Sequence, residues 1–196
     1  TMTRVVSDWV AFNARRRPEH LALVDVATNR QWSYREMHDR VERAARYLRS
    51  LGVGRGDRVA VLARNSTDQL ELLFACKRLG TLFVPMNWRL AVPELQYIAS
   101  DSNPAVLFAS SEFSATAAKI VDPAKVLVLS DGPATAYQAG LVAADPDKEL
   151  PIETLSHDDP WILVYTSGTT GRPKGAIITF GTTFYNLTSM SMFSRL

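Results

Sequence analysis

One short segment gathers the residue types that can grip a polyphosphate. It reads Trp161-Ile162-Leu163-Val164-Tyr165-Thr166-Ser167-Gly168-Thr169-Thr170-Gly171-Arg172-Pro173-Lys174-Gly175-Ala176-Ile177-Ile178-Thr179. An apolar strand runs into hydroxyls and glycines, then a proline, a lysine and a glycine, and a second apolar run leads away. Gly168, Gly171 and Gly175 permit backbone shapes closed to other residues and let main-chain N–H groups approach an anion. Thr166, Ser167, Thr169 and Thr170 offer four hydroxyl donors within five positions. Lys174 adds a mobile point charge suited to a β- or γ-phosphate. Pro173 stiffens the chain just before that lysine.

The segment departs from better-known nucleotide and nucleophile loops. The G-x-x-x-x-G-K-[ST] pattern needs Gly-Lys-Ser/Thr, whereas here Pro173 precedes Lys174 and Gly175 follows it. Ser167 does not stand in G-x-S-x-G, because Tyr165 occupies the first glycine's place. A serine nucleophile is therefore poorly supported. His20, His38 and His157 are scattered and show no metal-ligand spacing. His157-Asp158-Asp159 could suggest acid/base work but reads more simply as a polar turn before Pro160. Cys76, in the apolar stretch Leu72 to Leu79, reads as a small buried side chain. No residue of the chain is assigned a catalytic or metal-ligating role.

Elements must exist to hold that loop, and the apolar pattern supplies them. Five short runs recur: Val59 to Ala63, Thr81 to Pro85, Ala105 to Ala109, Val126 to Leu129, and Trp161 to Tyr165. They are continuous rather than alternating, as expected for strands covered on both faces. Helical patterns lie between most of them, so the fold class is α/β, a largely parallel sheet flanked by helices. One helix is especially legible. Ser33 and Glu36 form a capping box. Tyr34, Met37, Val41, Ala44, Leu48 and Leu51 then make one apolar stripe, and Gly52 stands where a helix ends. Arg35, Asp39, Arg43 and Arg46 form its solvated face. Val6 to Arg17 reads as an earlier helix stopped by Pro18, with Arg15-Arg16-Arg17 favoured at its end by the macrodipole. Leu21 to Val26 and Arg30 to Trp32 read as a hairpin around Thr28-Asn29. The stretch Ser130 to Ser156, with Gly132, Pro133, Gly140, Pro146 and Pro151, reads as a long connection with at most short structure.

Composition sets outer limits. Of 196 residues, 46% are hydrophobic and 21% charged, as in globular rather than disordered chains. A chain of this size can bury a sizeable core. The 22 basic and 20 acidic residues leave a net charge of +2, too balanced for a nucleic-acid footprint. No apolar run approaches the roughly 18 residues a membrane helix needs. The expected setting is cytoplasmic, and the sequence is silent on oligomeric state.

Thr166-Ser167-Gly168-Thr169-Thr170-Gly171-Arg172-Pro173-Lys174-Gly175 resembles the signature loop of the adenylate-forming superfamily. That group includes acyl-CoA synthetases, aryl-CoA ligases, luciferases and the adenylation domains of peptide synthetases. Weaker resemblance runs through Tyr34-Arg35-Glu36, Gly56-Asp57-Arg58-Val59-Ala60 and Val84-Pro85-Met86-Asn87-Trp88-Arg89-Leu90. Asn87 and Arg89 could line a site in this family-like context, but a structural role is the reading preferred. The sequence departs after the loop, where relatives commonly show Thr-His and this chain has Thr179-Phe180-Gly181. That change reflects either a different acyl pocket or local packing. Tyr185 and Asn186 are expected to begin a helix.

The resemblance implies ATP-dependent activation of a carboxylic acid to an acyl-adenylate, then transfer to a thiol, often that of coenzyme A. Magnesium would accompany the ATP. Thr166, Ser167, Gly168, Thr169, Thr170, Gly171 and Lys174 would hold the β- and γ-phosphates. By the same resemblance, residues 1–196 are the N-terminal part of an AMP-binding domain, with its remainder and a C-terminal lid domain absent. The fragment alone would then be inactive. A non-catalytic nucleotide- or anion-binding module is the alternative reading.

Overall fold

The structure is a computed structural model that describes residues 6–129, 135–145, 150, 153–166 and 172–194, with backbone only for 193 and 194. Its centre is a six-stranded sheet. In chain order the strands are β3 (Arg58–Leu62), β4 (Leu82–Pro85), β5 (Val106–Ala109), β6 (Val126–Val128), β7 (Pro160–Thr166) and β8 (Lys174–Thr179). Their spatial order is β6-β5-β3-β4-β7-β8, and every pairing is parallel except the last, β7 with β8. All five apolar runs fall on strands, and the α/β expectation holds.

Alternate residues of each strand face opposite layers. Val59, Val61, Phe83, Val106 and Phe108 pack with helices α2 (Tyr34–Ser50), α3 (Thr67–Leu79) and α6 (Ala136–Ala143). Ala60, Leu62, Val84, Leu107 and Ala109 pack with α4 (Val92–Ser102) and α5 (Ser114–Ile120). The layering follows from handedness. Right-handed crossovers from β3 to β4 and from β6 to β7 run one way along the sheet. Those from β4 to β5 and from β5 to β6 run the other way, so their helices lie on the opposite face.

Before the sheet come α1 (Trp9–Arg16) and a hairpin of β1 (Leu21–Asp25) and β2 (Arg30–Ser33). The hairpin turns where expected, with Asn29 left-handed at φ 54°. α1 starts later than the sequence pattern indicated, because the Asp8 carboxylate accepts from Ala11 N–H at 3.0 Å and caps it there. In α2 the Ser33–Glu36 capping box is present in both directions. Met37, Val41, Ala44 and Leu48 are buried, while Leu51 lies partly open and Gly52 adopts φ +82°. Arg46 on the polar face is not freely solvated: it pairs with Glu42 at 2.9 Å.

The Ser130 to Ser156 stretch carries short structure, as expected, but at a position the sequence did not mark. It contains α6, an eight-residue helix. Tyr137 of α6 is wholly buried, and its hydroxyl donates to the Glu71 carboxylate at 3.0 Å. Arg40 of α2 binds the same carboxylate through Nε at 2.5 Å and Nη2 at 3.0 Å. Neighbouring Asp68, also wholly buried, takes Arg30 at 3.0 Å and Gln138 at 3.3 Å. This network fastens α6 to α2 and α3. Its cost shows in the acids: burial raises the pKa of both Glu71 and Asp68, with Arg40 and Arg30 respectively opposing it.

α7 (Phe180–Ser194) follows β8. It begins five residues before the expected Tyr185. Phe180 is buried and stacks on Trp161, ring centroids 5.2 Å apart. Gly181 N–H donates to the His157 carbonyl at 2.8 Å, and a Cβ at Gly181 would stand 2.9 Å from that oxygen. Local packing thus accounts for the Phe180-Gly181 departure.

Candidate functional site

The hydroxyl- and glycine-rich segment joins β7 to β8, where the sheet changes from parallel to antiparallel. β7 is an inner strand, with β4 on one side and β8 on the other. Its carboxyl end points the same way as those of β3, β4, β5 and β6. That edge is where open α/β sheets bind ligands. Thr166 and Lys174 sit opposite each other at the last rung of the β7–β8 ladder, and both are exposed. An exposed hydroxyl and an exposed ammonium therefore flank the two ends of the loop. Ser167, Gly168, Thr169, Thr170 and Gly171 lie outside the described residues.

Gly175 plays a different part from the one its sequence context suggested. It lies in β8 opposite Tyr165. A Cβ there would meet Leu163 Cδ1 at 2.9 Å and Tyr165 Cζ at 3.3 Å. The glycine makes room for two β7 side chains, and the hairpin needs that space whether or not an anion is bound. Tyr165 in turn donates from its hydroxyl to Asp101 Oδ2 of α4 at 2.5 Å. Burial, then this carboxylate, raises the Tyr165 pKa, so the phenol stays protonated and tethers the strand end to α4.

Beside Tyr165 opens a recess of about 300 Å³. Its walls are the segments leaving three strand ends: Ala63 and Asn65 after β3, Met86 to Leu90 after β4, and Val164 and Tyr165 at the end of β7. β3 and β4 are the pair at which the strand order reverses, since β4 lies on one side of β3 and β5 on the other. Asn87 Oδ1 accepts from Arg89 N–H at 3.1 Å, a turn contact that fits the structural reading. Both residues also line the recess, the other place that the resemblance allowed them. The Arg89 and Arg64 guanidinium carbons lie 4.1 and 4.3 Å from the centroid of the Trp88 ring. Gln69 reaches in from α3, and its Oε1 is buried without a hydrogen-bond partner. Asn65 and Gln69 carried no spacing signal; only the folded strand ends bring them together.

The remaining candidates take structural places. Cys76 is fully buried, and burial pushes its thiol up to about 12. Asp159 accepts from Ser156 N–H at 2.6 Å and from Arg55 at 3.1 Å, closing the turn before β7. That backbone bond chiefly holds its carboxyl below the usual range. The His157 ring packs on Phe184 and Tyr185. Among the described residues, no group of three or more His, Cys, Asp or Glu side chains could hold a metal ion.

Fold and site together define an α/β domain with a hydroxyl- and lysine-bearing hairpin at the carboxyl edge of a largely parallel sheet. Comparison with known proteins then places it: the chain belongs to the AMP-binding enzyme family, which matches residues 10–195. It is 40% identical over 181 residues to a feruloyl-CoA synthase of an Amycolatopsis species, covering 92% of this chain and 34% of that protein. It is 34% identical over 169 residues to a fatty acid–[acyl-carrier-protein] ligase of Streptomyces coeruleorubidus, covering 86% of this chain and 31% of that one. The N-terminal domain of FACL13 from Mycobacterium tuberculosis, solved with an inhibitor, superposes with a TM-score of 0.76 at 32% identity. There the match covers 87% of this chain and 43% of the solved one. The chain thus spans about a third of the length of these curated relatives. No helix among the described residues is long and apolar enough to cross a membrane.

Proposed function

We propose that the parent protein uses ATP to activate a carboxylic acid as its acyl-adenylate and passes the acyl group to a thiol, by default that of coenzyme A. The observation that carries this reading is the placement of Thr166 and Lys174, exposed and opposed at the mouth of the β7–β8 hairpin on the ligand-binding edge of the sheet. Thr166, Ser167, Gly168, Thr169, Thr170, Gly171 and Lys174 hold the β- and γ-phosphates through hydroxyls, backbone N–H groups and one ammonium. Magnesium carried on the triphosphate would supply charge neutralisation to the same phosphates. The carboxylate of the substrate attacks the α-phosphorus, and pyrophosphate leaves while held by the loop. The recess beside Tyr165 receives part of the acid or the thiol.

Relatives differ in acceptor: one is named for a coenzyme A thioester and another for an acyl carrier protein. They differ also in acid, one feruloyl and one fatty. A fatty or aryl acid is the class proposed here. Residues 1–196 are part of the AMP-binding domain, and the parent acts in the cytoplasm as a ligase.

The test separates the two half-reactions in the full-length protein. Acid-dependent exchange of labelled pyrophosphate into ATP reports adenylate formation. Supplying preformed acyl-adenylate with thiol reports transfer. Replacing Lys174 by Ala should slow the first by about 10²- to 10³-fold, the size of loss when one charge-stabilising donor is removed, and leave the second within a few fold. Equal losses in both would refute the phosphate role. ATP binding without acid-dependent exchange in the full-length protein would favour the non-catalytic module.

A further inference from the structure

The far end of the β7–β8 hairpin runs past the pairing that ties β7 to the rest of the sheet. β7 pairs with β4 at one register position, Phe83–Ile162. Its ladder with β8 continues through Val164–Ala176, Tyr165–Gly175 and Thr166–Lys174. Among the described residues β8 pairs only with β7. The last rungs therefore hold chiefly each other, and a two-stranded ribbon twists and bends more freely than strands fixed within a sheet. A side chain reaches back from that ribbon to the body of the domain. The Tyr165 hydroxyl donates to Asp101 Oδ2 of α4 at 2.5 Å, the short length of a bond to a charged acceptor. The Tyr165 ring also lies against β8, where a Cβ on Gly175 would come within 3.3 Å of its Cζ. The other end of the tie is firm, because Leu95, Ile98 and Ala99 anchor α4 in the core. The bond thus grips the hairpin one rung before Thr166 and Lys174, about 3.3 Å along the strand.

We propose that the Tyr165–Asp101 bond is a positioning contact for the triphosphate: it fixes the hairpin end against α4 and so keeps Thr166 and Lys174 where phosphate oxygens meet them. The proposal rests on the reading of this loop as the phosphate site. Asp101 is exposed on α4 and stands outside the walls of the recess, so it acts through Tyr165. A hairpin end that wanders binds more weakly, in proportion to the fraction of time it spends in the competent position. If loss of the bond cuts that fraction to about one tenth, the apparent dissociation constant rises about tenfold. Acyl transfer from a preformed adenylate, from which pyrophosphate has already gone, does not need the hairpin end and is expected to stay unchanged.

Calorimetric titration of the full-length protein with MgATP tests the tie, because binding is read whether or not the protein turns over. Asp101→Ala should raise the dissociation constant about tenfold. Asp101→Asn keeps an acceptor oxygen and should recover most of that loss. Tyr165→Phe keeps the ring and should weaken binding as far as Asp101→Ala does, with the double variant no weaker than either. Melting temperatures taken alongside check that each variant is folded. Wild-type affinity in Asp101→Ala, losses that add in the double variant, or Asp101→Asn as weak as Asp101→Ala would each overturn the proposal. Pyrophosphate exchange on the same samples separates it from the proposed activity. Exchange in the wild type with unaltered MgATP affinity in the variants sinks the tie and leaves the activity standing. Affinity that falls as expected in a protein without acid-dependent exchange sinks the activity and leaves the tie. A wild type that binds no MgATP sinks both.

Discussion

Replacing Arg40 by Met should make the stability of the protein unusually sensitive to pH. Arg40 gives Glu71 two of its three hydrogen bonds, and the Glu71 side chain is wholly buried. After the change only the Tyr137 hydroxyl remains. A buried carboxylate stripped of its cation escapes the penalty by taking up a proton. At pH 7, protonating a carboxyl whose ordinary value is 4.5 spans 2.5 pH units (7 − 4.5), or about 3.4 kcal/mol at roughly 1.36 kcal/mol per unit. That figure caps the deficit by this route. It agrees with the ~3–5 kcal/mol typical of breaking a buried pair. The cap shrinks by about 1.36 kcal/mol for each unit of acidification, so near pH 5.5 it is only about 1.4 kcal/mol.

The sign follows from the direction of the shift. Burial raises the folded Glu71 above its unfolded value, more so without Arg40. Such a group stabilises below the unfolded pKa, and that stability is lost as pH rises through the folded one. Urea unfolding of wild type and Arg40→Met at pH 7 and pH 5.5 measures the difference. The Arg40→Met/Glu71→Met double variant should recover most of the loss. A deficit that is the same at both pH values, or a double variant as weak as the sum of the singles, would refute the reasoning.

Two further outcomes follow from other contacts. Lys77 lies buried beside the Trp9 ring at 4.6 Å and donates to the Ser7 carbonyl; burial lowers its ammonium to about 8 from 10.5. A depressed value means stability rises between about pH 8 and 10.5, so unfolding midpoints should climb over that window, and Lys77→Met should abolish the climb. Gly181→Ala places a methyl against the fixed His157 carbonyl and should cost about 1–3 kcal/mol, read as a lowered melting temperature with pyrophosphate exchange retained at low temperature.

The sheet was legible because its strands are apolar on both faces, so each announced itself as a short unbroken run. The start of α2 was legible because the Ser33–Glu36 pair is a local device, satisfied within one turn. α6 was not. Its glycine- and proline-bearing flanks look like a loop, and its stability comes from Tyr137 meeting a carboxylate 66 positions earlier in the chain. The loop stood out by residue types alone, because hydroxyls, glycines and a lysine have few other reasons to cluster, and the chemistry proposed for it rests on those types and on the family resemblance. The recess beside it could not. Asn65, Gln69, Trp88 and Tyr165 meet there because β3, β4 and β7 end side by side, a fact of topology rather than of spacing. Gly175 was read only for its backbone, and the packing of Leu163 and Tyr165 gives it a second reason to be glycine.

Two of the four indoles stand in contrasting places. Trp161, stacked on Phe180 and bonded through Nε1 to the Leu73 carbonyl at 3.1 Å, sits in the interior corner where β7 leaves the turn. Its emission reports whether the scaffold is intact. Trp88 lines the recess between two cationic neighbours, so a group bound there is expected to change the surroundings of its ring while those of Trp161 stay fixed. Replacing Trp9 and Trp32 by Phe would leave these two emissions to be read against each other.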